Sequence, residues 1–221
     1  MTGPVVAVRG ESVREVDPEI ATFSVTVSAR DRDRQETLRR LTARLDAIRS
    51  VLDGYGDAIE KRETSGVFIR PETKRSGERI SAYSGTVSTT VTVSDFGVLG
   101  ELLLRLADQD QTSVAGPWWA LRPGSTVHRE ARRAAITDAI ARGREYADAL
   151  GARVTGLLEL TDSGMSSHGS PRSVALGFRA GSMQAAEPTL DLEPERQTVT
   201  ATVEARFQIS EPAALAEPAP E

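Results

Sequence analysis

The sequence predicts an α+β fold, in which an antiparallel-dominated mixed sheet carries two or three helices packed on one face. Several segments alternate apolar and polar side chains residue by residue, as half-buried β-strands do. Other segments place leucine or alanine three and four residues apart, which is typical of amphipathic helices. Of the 221 residues, 39% are hydrophobic, which is enough for a core. The length predicts one domain, or two small ones with a shared core, and we expect a single domain spanning residues 1–210.

The N-terminal part of the chain predicts two strands followed by a helix. A short strand covers residues 5–8, and a longer strand over residues 19–30 shows the clear alternation of apolar and polar side chains. Residues 33–52 form the first predicted helix, because their leucines and isoleucine repeat at spacings of three and four. Asp33 and Glu36 at the start of this helix fit a capping box.

The middle of the chain predicts a β-hairpin, a short helix and a further strand. Residues 59–70 and 80–94 read as the two strands of the hairpin, separated by a polar turn. Residues 95–106 carry four leucines at helical spacing. Residues 114–121 are a strand candidate, and Pro117 within it favours an edge strand or a bulge, because proline cannot donate to the ladder.

The C-terminal part predicts the longest helix, two strands and two irregular segments. The helix over residues 125–150 is rich in alanine, and strands follow over residues 153–161 and 198–209. Between these strands, residues 162–197 predict a long irregular loop, a kind of segment that is usually functional or mobile. The last residues, 211–221, are rich in Pro, Ala and Glu and predict a disordered tail.

The composition excludes several classes of site. The chain has no cysteine, which removes disulfides, thiolate catalysis and zinc–sulfur centres. Its formal net charge is −5, and the arginines of the first helix alternate with acidic residues, so we expect no nucleic-acid partner. Metal-binding and phosphate-binding motifs do not occur in the sequence, so the prediction is no metal site and no cofactor.

The two histidines do not form a recognisable catalytic group. His128 opens the long helix, where an exposed position is expected. His168 follows Ser166 by two residues, in a segment too rich in glycine and serine to hold a nucleophile and its base in a rigid geometry. The Gly-x-Ser-x-Gly motif of many hydrolases is also missing. The sequence therefore predicts no catalytic residues and a protein that is not an enzyme.

Trp118 and Trp119 form the most unusual dipeptide of the chain. Adjacent residues of a strand point to opposite faces, so one tryptophan can enter the core while the other faces outward. An outward tryptophan on an edge strand is a natural contact anchor, because tryptophan is enriched among residues that dominate binding energy. Trp118 and Trp119 are therefore the candidate assembly contacts, with a partly covered tryptophan under a loop as the alternative.

The sequence also predicts where the protein resides. The longest stretch without a charged residue, residues 80–94, is full of serine and threonine, so we expect no transmembrane segment. The N-terminus runs directly into a strand-like segment and shows no basic region followed by an apolar stretch, so no secretory signal is recognised. On this pattern, the protein is expected in the cytoplasm.

The order of these segments resembles the SIMPL-domain family, which includes periplasmic immunogenic and oxidative-stress-defence proteins of bacteria and a eukaryotic adaptor of a pelle-like kinase. Four stretches carry the resemblance, and together they reach from the first strand to about residue 210. They are VAVRG (6–10) with DPEIA (17–21), TSGVFIRP (64–71) with ISAY (80–83), the alanine-rich helix over 130–151, and LEPE (192–195) leading into the strand over 199–209.

The resemblance implies an α+β fold, no shared catalytic residues and, since at least one bacterial member looks like a ring or channel, a homo-oligomer. The favoured hypothesis is a non-enzymatic, self-assembling scaffold or stress-related factor, with a further protein partner possible. The alternative is a small-ligand or partner-binding module that uses residues 162–197, since loops on rigid sheets often carry binding. A hydrolase centred on Ser166 and His168 is the least favoured hypothesis.

Overall fold

The computed structural model of the chain describes residues 3–73, 80–168 and 190–215, with residues 163–168 described by their backbone. Seven strands and three α-helices form the fold. Their bounds are β1 Val5–Val16, β2 Ile20–Asp31, α1 Arg34–Asp53, β3 Ile59–Thr73, β4 Ile80–Val93, α2 Leu99–Ala107, β5 Thr112–Ala120, α3 Thr126–Ala149, β6 Val154–His168 and β7 Gln197–Ile209. Short 3-10 helices occur at Gly56–Ala58, Phe96–Val98 and Ala213–Leu215.

The strands form two antiparallel sheets, which belong to two compact units. Unit 1 contains the sheet β1-β7-β6 together with α3, and unit 2 contains the sheet β3-β4-β2-β5 together with α1 and α2. The predicted α+β class is confirmed. The expected mixed sheet is instead divided into two, because β1 pairs with β7, far away in sequence, rather than with its neighbour β2.

Unit 1 is built on β7, the central strand of its sheet. Alternate side chains of β7, from Val199 to Phe207, are buried and face the alanines of α3, of which Ala131, Ala135 and Ala139 are fully buried. Alanines four residues apart lie along one side of a helix, and their small size lets the helix approach the sheet closely. The closest approach is at Gly10 of β1, where a Cβ atom would lie 2.1 Å from the carbonyl oxygen of Ala135.

Unit 2 packs both of its helices against one face of its four-stranded sheet. The core residues of β2 and β4 are the apolar members of their alternating patterns, with Phe23 and Val91 fully buried between strand and helix. The leucine and isoleucine stripe predicted on the first helix supplies the other half of this core. Asp33 caps α1 by accepting a 2.9 Å hydrogen bond from the backbone N–H of Glu36.

The reciprocal bond of a capping box is replaced by other contacts. The backbone N–H of Asp33 donates to Asp31, while the Glu36 carboxylate accepts hydrogen bonds from Arg39 and Arg40. The guanidinium groups of Arg39 and Arg40 lower the pKa of Glu36 to about 2. Arg39 and Arg40 thus form intrahelical pairs on a solvated face, as the alternating charges predict.

Several predicted segment boundaries change in the structure. The irregular segment expected from residue 162 begins later, because β6 continues to His168 through pairing of residues 165–168 with β7. Residues 169–189 lie outside the described part of the chain, and residues 190–196 have no regular structure. Of the predicted tail, residues 213–215 form a 3-10 helix, and residues 216–221 lie outside the described residues.

Candidate assembly surface

The most exposed apolar surface of unit 2 lies on β3, an edge strand whose one partner in the sheet is β4. Three consecutive side chains of this strand, Val67, Phe68 and Ile69, are 57%, 69% and 41% exposed. Three apolar residues in a row cannot all face the same core, because side chains of a strand alternate between faces. The helix α1 packs over β2 and β4, so the inward-pointing residues of β3 also remain open to solvent.

Gly66 and the aromatic ring of Phe68 lie in contact in the middle of this strand. The ring of Phe68 lies over Gly66, since a Cβ atom at Gly66 would come within 3.2 Å of the ring edge. A shallow hollow of about 300 Å³ lies beside the ring, between Arg70 of β3 and Ser84 and Thr86 of β4. Within the described part of the chain, the strand therefore presents an apolar patch at the edge of its sheet, a combination that invites pairing with another strand.

Charged residues flank the apolar patch on both sides. Lys61 forms a 2.8 Å ion pair with Glu63 before the patch, and Arg30 of β2 forms a 2.8 Å ion pair with Glu72 after it. The hydrogen bond from Arg30 is the main reason that the pKa of Glu72 is lowered from its ordinary value. Both pairs are solvent-accessible, so they contribute little to stability and leave their charges available to a partner.

Apart from Arg30 near its end, the sheet surface next to β3 is polar and uncharged. The outward face of β2 and β4 consists of serine and threonine pairs, such as Thr26 and Ser88, whose hydroxyl oxygens lie 2.8 Å apart. These hydroxyl groups are half-buried by their neighbours. The apolar surface is therefore concentrated on the edge strand and does not extend over this face of the sheet.

The two tryptophans face in opposite directions, as the strand pattern predicts. Trp119 packs against the core of unit 2 and makes an edge-to-face contact with Phe96, with ring centroids 4.8 Å apart. Trp118 is 47% exposed on β5, the other edge strand of the same sheet. Pro117 lies in this edge strand, close to an irregularity in its pairing with β2, so both positions predicted for that proline are found. A role of Trp118 and Trp119 in assembly stays a prediction.

Sequence reasoning missed the run Val67–Ile69 as a surface. The signal was present: three large apolar residues in succession, within a strand whose other residues are mostly charged or polar. What the pattern cannot reveal is that β3 lies at the edge of the described sheet, because this depends on which strands pair. Unit 1 has a comparable edge in β6, where Leu157, Leu158 and Leu160 are exposed.

The histidines and Ser166 occupy separate positions in unit 1. His128 lies in the first turn of α3 and is half-buried rather than exposed, with a buried Nδ1 atom that has no hydrogen-bond partner among the described residues. The backbones of Ser166 and His168 belong to β6, opposite Thr200 and Thr198, and their side chains lie outside the described part. Over the described ranges, no cluster of three or more His, Asp or Glu side chains could hold a metal ion.

The loop proposed for ligand binding is described only at its two ends. Residues 162–168 continue strand β6, while residues 169–189 lie outside the described chain. At the far end, Leu190 and Leu192 pack against the core of unit 2. The carbonyl oxygen of Leu190 lies so close to Gly100 of α2 that a Cβ atom there would be 2.0 Å away. Use of this segment for ligand binding stays a prediction.

Among the described helices, none is both long and apolar enough to cross a membrane.

Comparison with known proteins places the chain in a family. The SIMPL family, described as a protein of unknown function (DUF541), matches residues 6–207. The 26 kDa periplasmic immunogenic proteins of Brucella melitensis and Brucella abortus are each 26% identical over 219 residues, covering 92% of this chain and 84% of the relative. A solved structure of an uncharacterized conserved protein from Listeria innocua is 14% identical and covers 90% of this chain and 92% of its own, with a TM-score of 0.19 that supports no argument. On the family match, this chain belongs to the SIMPL family.

Proposed function

We propose that this protein is a non-enzymatic, self-assembling scaffold or stress-related factor, and that its assembly uses the edge strand β3. The carrying observation is the run Val67–Ile69, which presents three exposed apolar side chains at the edge of the described sheet. Proteins usually protect such edges with charges, prolines or covering elements, because an open apolar edge pairs with other chains. In β3, charged residues and Pro71 flank the apolar run, while the run itself stays exposed and therefore favours a strand partner.

The rest of the described surface is consistent with binding rather than catalysis. The charged groups near β3 are ion-paired and solvent-accessible, as in Lys61 with Glu63 and Arg30 with Glu72. A general acid or base instead needs a cleft in which burial tunes its pKa and fixes its position. Trp118 on the opposite edge of the same sheet is the second proposed contact, and it offers a large side chain of low conformational entropy.

Light scattering on a sizing column, over a dilution series, tests the assembly. We expect a defined oligomer at micromolar concentration, because an exposed aromatic side chain at the centre of a patch is a typical binding hot spot. The variant Phe68→Ser should weaken association by about tenfold or more, since hot-spot truncations cost about 2 kcal/mol or more. Tyr146→Ser is the matched control, because Tyr146 is similarly exposed but lies on α3. A strict monomer at all concentrations would contradict the proposal.

The location of the protein also belongs to this proposal. The curated relatives are named as periplasmic proteins, which favours an envelope location over the cytoplasm expected from the sequence. Neither location changes the argument for assembly, because the chain has no cysteine whose redox state would depend on the compartment. Fractionation of cells that express the protein from its natural gene separates the two, since a periplasmic protein is released by osmotic shock and a cytoplasmic protein is retained.

A further inference from the structure

We propose that β3 pairs with β3 of a second copy in one antiparallel register, centred on Val67, so that the two unit 2 sheets join into a continuous eight-stranded sheet. This inference rests on the proposed self-assembly and specifies its partner and geometry. A second copy is the favoured partner of this edge, because acidic and basic residues of β3 lie opposite each other when two β3 strands run antiparallel. A two-fold contact of this kind uses the same patch on both copies.

The faces of β3 follow from its pairing with β4. The residues opposite Thr92, Thr90, Ser88, Thr86, Ser84 and Ala82 are Lys61, Glu63, Gly66, Phe68, Arg70 and Glu72. These β4 residues are two apart, so the six β3 residues share one sheet face, while Thr64, Val67 and Ile69 lie on the other. The register shifts between Thr64 and Gly66, which leaves Ser65 as an extra residue.

An antiparallel pair of β3 strands must match face with face. If each strand keeps Ser65 as its bulge, one register centred on Val67 meets this condition throughout residues 61–72. In this register, Val67 lies opposite Val67 of the second copy. The pairs on either side join Gly66 with Phe68, Thr64 with Ile69, Glu63 with Arg70 and Lys61 with Glu72.

The charged pairs set this register apart. On both sides of the two-fold axis an acidic residue faces a basic one, Glu63 against Arg70 and Lys61 against Glu72, so four opposite-charge pairs form across the interface. Opposite charges in cross-strand positions stabilise a sheet, and like charges destabilise it. The side chains of the existing pair Lys61–Glu63 are exposed, and that of Glu72 is half-buried beside Arg30, so Lys61 and Glu72 both remain solvent-accessible to an additional partner.

The centre of the interface is apolar and has room. The ring of Phe68 already lies over Gly66 of its own strand, and in this register it also lies opposite Gly66 of the second copy, where an aromatic side chain compensates for the missing one. Val67 and Ile69 sit on the side of the sheet where α1 covers β2 and β4 but leaves β3 open. Pairing would therefore cover exposed apolar area without first displacing a helix.

Single-cysteine cross-linking tests this register, because the natural chain contains no cysteine. Opposite residues in an antiparallel pair have Cα atoms about 4.5–5.5 Å apart, which is within disulfide range. In the variant Val67→Cys, mild oxidation should convert most of the protein to a disulfide-linked dimer, at least about tenfold faster than in Val13→Cys. Val13 is the matched control, since it is an exposed valine on β1, an edge strand of the other sheet.

Exchanging the charges of Glu63 and Arg70 is the second test of the register. Arg70→Glu should raise the dimer dissociation constant about tenfold, because it places like charges opposite each other twice in each dimer. Adding Glu63→Arg to Arg70→Glu should restore most of the affinity, whereas a patch that binds without this register gains nothing from the second change. Circular dichroism on both variants checks that they are folded.

The outcomes separate the register from the proposed function. A stable oligomer in which Val67→Cys cross-links no faster than Val13→Cys, or in which the charge exchange gives no rescue, overturns the register and leaves self-assembly standing. A monomer at every concentration overturns both. Rapid cross-linking together with rescue supports the two-fold β3 pair.

Discussion

Replacing Gly10 with valine is expected to disrupt unit 1, at a cost of about 3 kcal/mol or more in the free energy of unfolding. A Cβ atom at this position would lie 2.1 Å from the carbonyl oxygen of Ala135, and 2.6 Å and 2.7 Å from the N and Cβ atoms of Ala139. Two of these three atoms belong to the backbone of α3, so a rotamer change cannot relieve the overlap. The helix must move away from β1, which opens the apolar contact between α3 and the sheet.

Hydrogen exchange of the α3 amides, together with urea unfolding followed by far-UV circular dichroism, measures this effect. Gly156→Ala is the matched control, because Gly156 lies on a strand of the same unit and a Cβ atom there meets nothing within 4 Å. This control should be neutral or stabilise slightly, since alanine loses less backbone freedom than glycine on folding. Equal protection of α3 in Gly10→Val and in the unchanged protein would show that the close approach is not required.

Replacing Phe23 with alanine is expected to destabilise unit 2 by about 3–5 kcal/mol, the usual cost of truncating a buried aromatic side chain. Phe23 is fully buried and lies on β2, a central strand of its sheet. Its side chain belongs to the core that α1 and α2 form against the sheet. Removing the ring leaves a cavity that the neighbouring strands can close only in part.

Tryptophan fluorescence reports this effect directly. Both tryptophans of the chain lie on β5 of unit 2, and Trp119 packs against the same core as Phe23. Phe68→Ala is the control, because it removes the same ring from an exposed position and should change the stability of the monomer by less than about 0.5 kcal/mol. Both variants are compared at a concentration where light scattering gives the monomer mass. Similar losses in Phe23→Ala and Phe68→Ala would contradict the assignment of Phe23 to the core.

The elements that were predicted correctly are those with strong local patterns. The alternation of β2 and β7 and the leucine spacing of α1 and α2 identified both the element and its buried face. Weakly patterned segments were less well predicted. Strand β1 extends to Val16, well beyond the four residues expected, because pairing with β7 continues over its whole length. Its C-terminal half is mostly polar, so the sequence pattern did not reveal it. The same pairing partner extends β6 through residues rich in serine and glycine.

The candidate assembly surface was also predicted only in part from the sequence. The sequence identified Trp118 and Trp119 and the opposite directions of their side chains, since this follows from the two-residue repeat of a strand. It did not identify Val67, Phe68 and Ile69 as a surface, because apolar residues in a strand are normally assigned to a core. Their exposure depends on the position of β3 at the edge of the sheet and on helices that cover only its neighbours.

The sequence by itself determined the α+β class, the identity of the main helices and strands, and the inward face of each strongly patterned element, because these depend on side chains a few residues apart. Only the tertiary structure decided that the strands divide into two sheets, that β1 pairs with β7, and that β3 lies at the edge of the described sheet. These features depend on strand partners such as Val5 and Gln208, which are separated by almost the whole chain. The local periodicity of a sequence does not indicate which distant strands pair, so the surface proposed for assembly became recognisable only in the folded protein.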